Sequence, residues 1–142
     1  MELTIEQALQ RGIAAHSEGK LSQAEELYQV VLRAQPHDPD ANHNLGALAM
    51  ASNRADLALS FFKTALEANP NIEQFWLSYI DAFIKDNQFD NAKQVIQKGR
   101  NQGVSLEKLS RLEMQIDTTI ETKNSLQQHL DRLTASYQTG KY

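Results

Sequence analysis

ANHNLGALAMASNRADLALSFFKTALEANP, residues 41–70, contains two helix-length segments on either side of Asn53. Gly46, Ala58, Phe62, Ala65 and Pro70 follow one another in a small, small, aromatic, small, proline order. The order recurs at an offset of 34 residues in both directions. Gly12 precedes Gly46, Tyr28 and Ile96 flank Phe62, Ala24 and Ala92 flank Ala58, and Val31 and Gly99 flank Ala65. Pro36 stands one period before Pro70. A fixed period of this length marks a stack of supersecondary units, each too small to bury its apolar face alone.

The residue types fit two short antiparallel helices per unit. Gly12 and Gly46 are expected to face Ala24 and Ala58, where only small side chains allow close approach. Glycine inside a helix costs about 0.8–1.0 kcal/mol relative to alanine, so its recurrence implies a packing reason. Thr4 with Gln7 reads as a capping box, and Asp38 as a cap followed by Pro39 in the first turn. Gly19, Asn53 and Asn87 fall at turns within the units, where a left-handed residue is tolerated. The second helices end before proline because the residue preceding it is disfavoured in the α region. Helices are expected near 4–17, 21–34, 39–51, 55–68, 73–85 and 89–100.

These positions resemble the tetratricopeptide repeat family, with the second copy matching its pattern best. The resemblance implies an all-α solenoid of antiparallel helix pairs with extra C-terminal helices. Three repeats span 1–104, at about 5–38, 39–72 and 73–104. Trp76, in phase with Ala8 and Asn42, takes the family's tryptophan place and is expected in the core, with Phe75 as a surface contact. Departures occur too. Arg11 stands where Leu45 and Tyr79 sit. The third unit has Ile80 for glycine and Val104 for proline, so it reads as degenerate, with a second helix that stops early.

Beyond it, Ser105 is expected to cap a linker or capping helix over 105–123, carrying Leu106, Leu109, Leu112, Ile116 and Ile120. The step from Ile120 to Leu126 breaks that spacing, and a turn is expected near Lys123–Asn124. Leu126, Leu130, Leu133 and Tyr137 form a second stripe over 124–142. Its close, Tyr137-Gln138-Thr139-Gly140-Lys141-Tyr142, looks like the end of an incomplete first helix of a further repeat. Such a half-unit needs a cover, so a homodimer through this helix is one expectation. The arrangement is also similar to repeat regions ahead of the catalytic domain in bacterial glycosyltransferases and sulfotransferases. An N-terminal piece of a larger cytoplasmic protein is therefore expected, and the likeness implies recruitment of a transferase's substrate as one alternative.

Composition narrows the chemistry. The 142 residues carry a net charge of -4 with both signs interspersed, which leaves no footprint for nucleic acid. There is no cysteine, hence no disulfide and no thiolate site. No stretch approaches the roughly 20 apolar residues of a membrane helix, and the start lacks a signal peptide's pattern. His16, His37, His43 and His129 form no ligand motif. Glu25-Glu26 point apart on a helix, and Asp38 and Asp40 flank a cap. Neither a phosphate loop nor a nucleophile elbow occurs. No active site, cofactor or metal is expected.

Binding is the remaining class. The resemblance implies that first helices line a concave groove, here Leu9, Gln10, Ile13 and His16, then His43, Asn44, Ala47 and Met50, then Leu77, Ser78, Asp81 and Ile84. Glu6, Asp40 and Gln74 lie beside them. Asn44 matches the asparagine that repeats of the O-linked sugar transferase family place along a peptide. One amide can accept from a peptide N–H and donate to a peptide C=O. Its phase partners are Gln10 and Ser78. Only Lys85 lies near, so the basic clamp that captures a terminal carboxylate is missing. The expected activity is binding of a protein or peptide, with self-association or spacing of domains as the alternative.

Overall fold

A computed structural model describes residues 2–140. They form seven α-helices: α1 (Ile5–Ser17), α2 (Leu21–Ala34), α3 (Pro39–Ala51), α4 (Ala55–Ala68), α5 (Glu73–Lys85), α6 (Phe89–Asn101) and α7 (Leu106–Gln138). No strand occurs among the described residues. Helices α1/α2, α3/α4 and α5/α6 pack as pairs, and each pair stacks on the next. The first helices α1, α3 and α5 make one layer and the second helices the other.

The expected caps are present. Gln7 N–H donates to Thr4 Oγ1 at 3.1 Å while Thr4 N–H donates to Gln7 Oε1 at 3.0 Å. Ala41 N–H donates to Asp38 Oδ1 at 2.8 Å. Gly19, Asn53 and Asn87 adopt φ of +77°, +58° and +62°. At each turn the following N–H reaches back five residues to a carbonyl, from Lys20 to Ala15, Arg54 to Ala49 and Gln88 to Phe83. This closure satisfies carbonyls that a helix end leaves open.

Ala24, Ala58 and Ala92 are wholly buried, as expected. The glycines, however, meet aromatic rings. A Cβ on Gly12 would lie 2.6 Å from Tyr28 Cε1, and one on Gly46 would run into the Phe62 ring. The third unit exchanges the volumes: Ile80 and Ile96 replace glycine and ring, and both are buried. What reads as degeneracy is a compensated core. Helix α6 has 13 residues against 14 in α2 and α4. It ends at Gly103, φ +87°, with Val104 N–H on Gly99 O at 3.0 Å, so a left-handed glycine replaces the proline stop.

A second repeating device joins the units. Asn42 Nδ2 donates to Pro36 O at 3.1 Å, and Trp76 Nε1, one period later, donates to Pro70 O at 2.8 Å. Each ties a first helix to the exit of the preceding unit. Trp76 is therefore core, 8% exposed, with its polar atom satisfied. Phe75 is buried as well, contrary to its reading as a surface contact. It packs on the His43 ring at a centroid distance of 4.9 Å.

The turn expected near Lys123–Asn124 does not exist, and one 33-residue helix replaces the two C-terminal helices expected. No glycine or proline lies within α7, and Thr119, Thr122 and Thr134 return their hydroxyls to carbonyls four residues back. The apparent break is bridged in phase by Thr119 and Lys123, which continue the spacing of three and four. The first half of α7 packs on α5 and α6. Leu109 and Ile116 are fully buried. Ser105 caps the helix, and its N–H donates to Glu73 Oε1 at 2.8 Å while Lys108 Nζ meets Glu73 Oε2 at 2.9 Å. Those partners hold the Glu73 carboxyl below its usual pKa. Arg100 pairs with Glu113, and Lys123 reaches Asn87 and lies over the Phe89 ring. From Glu121 to Gly140 every residue is exposed. Lys141 and Tyr142, which close the segment read as an incomplete repeat, lie outside the described residues.

Candidate functional site

The residues assigned to the groove separate into three groups. Gln10 and Ile13 are exposed, whereas Leu9, His16, His43, Asn44, Ala47, Met50, Leu77, Ser78 and Asp81 are partly buried. Ile84 is 3% exposed and belongs to the cluster that includes Leu109 and Ile116. Helix α7 packs along α5 and closes that end of the layer. Ile84 is therefore a core residue and leaves the groove.

Two other members are engaged structurally. His43 Nε2 and Ser78 Oγ are 2.8 Å apart, joining α3 to α5, and Gln74 Nε2 donates to the same hydroxyl at 3.0 Å. The His43 ring lies between Phe62 and Phe75, at centroid distances of 5.3 and 4.9 Å. Ser78 thus serves the floor rather than offering an open hydroxyl. His16 is placed similarly at the first unit, its Nδ1 3.5 Å from Tyr28 Oη. What remains is a pair of amides, exposed Gln10 and partly buried Asn44, bordered by Ile13, Met50 and Leu77. Lys85 is held by Asp81 at 3.4 Å.

Burial pushes the His43 pKa below the ordinary 6.5, with Asp40 and Asn44 pulling weakly the other way. The unfolded chain then takes up the proton first. Stability from neutral His43 is complete above pH 6.5 and is lost as pH falls through the lower folded value. Thermal melting between pH 7.5 and 5 should show this decline, and His43→Gln should flatten it. An equal decline in the variant would remove His43 as its source.

Sequence reading missed two clefts between successive second helices. One of about 300 Å³ is lined by Glu25, Gln29, Leu45, Leu57 and Phe61, among others. The other, about 390 Å³, lies over Leu66, Trp76, Tyr79 and Val95 with Lys63 and Lys98 at its rim. Their side walls come from α2, α4 and α6, which periodicity marks only as amphipathic, and α3 and α5 also contribute to the lining. Among the described residues, no group of three or more His, Asp or Glu is placed to hold a metal ion. No helix among them is long and apolar enough to cross a membrane.

Known proteins share this architecture. The TPR2B domain of yeast Sti1, in a complex with pHsp70, superposes with a TM-score of 0.72 at 18% identity, covering 81% of this chain and 97% of that one. The Sgt2 TPR domain of Aspergillus fumigatus gives 0.71 at 22% identity, with coverage of 85% and 82%. In sequence, cellulose synthase 2 operon protein C of Komagataeibacter xylinus is 33% identical over 73 residues, 51% of this chain. The matched stretch is 6% of that relative's length. The tetratricopeptide repeat family model matches twice, over residues 15–76 and 49–105. With the 34-residue period seen as stacked helix pairs, glycine against ring and amide or indole on the proline carbonyl, these matches show that the chain belongs to the tetratricopeptide repeat family.

Proposed function

We propose that the chain binds an extended segment of another protein along the layer of first helices. The observation that carries this reading is the pair of amides one period apart, exposed Gln10 and partly buried Asn44, with apolar Ile13, Met50 and Leu77 beside it. Side-chain amides can pair with both groups of a peptide unit, and the apolar neighbours supply burial for alternate side chains. The yeast Sti1 domain of the same fold, in its complex with pHsp70, supports binding of another protein without naming a ligand here.

The electrostatics favour a neutral or basic segment. Glu6 and Asp40 lie on this face, and Lys85 and Asp81 offset each other at 3.4 Å. A terminal carboxylate finds no clamp. The ligand is thus an internal segment and the chain acts by recruitment, with no chemistry of its own.

Fluorescence anisotropy with a set of labelled, extended neutral and basic peptides tests this reading. Asn44→Ala and Leu77→Ala should each weaken the tightest binder while leaving helix content intact. A lost amide pair that leaves the peptide groups unsatisfied costs about 1–3 kcal/mol. Equal affinity for wild type and the double variant would exclude this face as the site.

A further inference from the structure

Among the described residues, Leu126, Leu130 and Leu133 on the outer half of α7 stay exposed, although they form a regular apolar stripe. Leu126, Leu130 and Leu133 are 59%, 55% and 54% exposed. They continue, through Thr119 and Lys123, the same three-and-four spacing by which Leu109, Leu112 and Ile116 meet the body. That spacing is the seam of a two-stranded coiled coil, and polar residues at one or two seam positions set register.

We propose that this overhang pairs with the same overhang of a second copy, antiparallel, about a two-fold axis passing between Asp131 and Arg132. Leu130 then faces Leu133 of the second copy, and Leu126 faces its Tyr137, each contact occurring twice as two-fold symmetry requires.

Three observations select this occupant. Between Glu121 and Gly140 the only formal charges are Glu121, Lys123, Asp131 and Arg132, and they cancel. The segment has no field to recruit a charged partner and none to repel its twin. The positions flanking the seam, Gln127, His129, Thr134 and Ser136, carry no carboxylate or ammonium group, so nothing imposes a heterologous partner. Orientation follows from the body. The inner part of the stripe already lies on α5 and α6. A parallel twin would bring its own α5 and α6 into that space. An antiparallel twin places its body beyond the far end of the helix, and its tip reaches Lys123 where the first body begins.

The overhang from Lys123 to Gln138 is about 24 Å long and 10–12 Å wide, which puts the shared surface at the low end of specific interfaces. The dimer is therefore reversible. This inference is independent of the groove, which lies on other helices.

Sedimentation equilibrium of the whole chain over a concentration series should show a monomer–dimer equilibrium, with twice the monomer mass at the upper end. Leu130→Glu should keep the mass at that of the monomer without loss of helix content. The chain has no cysteine, so Glu121→Cys carries a single spin label. In the dimer, two such labels should lie about 30 Å apart, from the rise per residue. A parallel pair would hold them near the interaxial distance of about 8–10 Å. A monomer at every concentration, a dimer unaffected by Leu130→Glu, or the short label distance would each overturn the proposal.

Discussion

Gly46→Ile should lower the stability of the fold by about 1–3 kcal/mol, the usual cost of forcing extra methylenes into a filled core. Helix propensity alone favours isoleucine over glycine, so the loss reports only the collision with Phe62. Phe62→Ile alone should also destabilise, because removing the ring leaves a void. Together the two substitutions reproduce the Ile80–Ile96 pair of the third unit, already buried and well packed. The double variant should therefore recover part of both losses, with a coupling of about 0.5–3 kcal/mol between contacting residues. Urea titrations of the four proteins measure it. Strictly additive losses would mean that the volume exchange between units is not a packing rule.

The second large effect concerns the attachment of α7. Ile116→Ala should cost about 2–5 kcal/mol, as for other fully buried isoleucines. Met114→Ala, on the opposite face and 68% exposed, should stay within about ±0.5 kcal/mol. Hydrogen exchange should localise the first loss to α7 and the adjoining faces of α5 and α6. Unchanged protection of the α7 amides in Ile116→Ala would show that Glu73, Arg100 and Lys123 alone fasten the helix.

The helix pairs and their turns were legible because period, caps and left-handed residues act locally. Asn53 and Asn87 needed no tertiary information to be placed. Errors arose where a tertiary neighbour decided the outcome. Phe75 shares its phase with the fully buried Ala41, a signal present in the sequence but masked by the change from small to large. Ile84 lost its exposure to α7, which no local pattern positions against α5. The absent turn shows a different limit. A stripe keeps strict helical phase only where packing enforces it, and Thr119 and Lys123 are polar because α7 is leaving the body there. Among the residues expected in the groove, the engagement of Ser78 by His43 was not legible, because it depends on a contact between helices across 35 residues of sequence.

The ties from Asn42 to Pro36 and from Trp76 to Pro70 also set how the array flexes. Each is a short strut across a junction, resisting both hinge and torsion between neighbouring pairs. At the third junction Leu109 stands one residue short of a full period after Trp76, and it has no polar atom with which to make the strut. Compliance is therefore unevenly distributed. The two junctions between the three pairs each carry such a strut, whereas the junction to α7 relies on the packing of Leu109 and Ile116 and on the Glu73–Lys108 bridge.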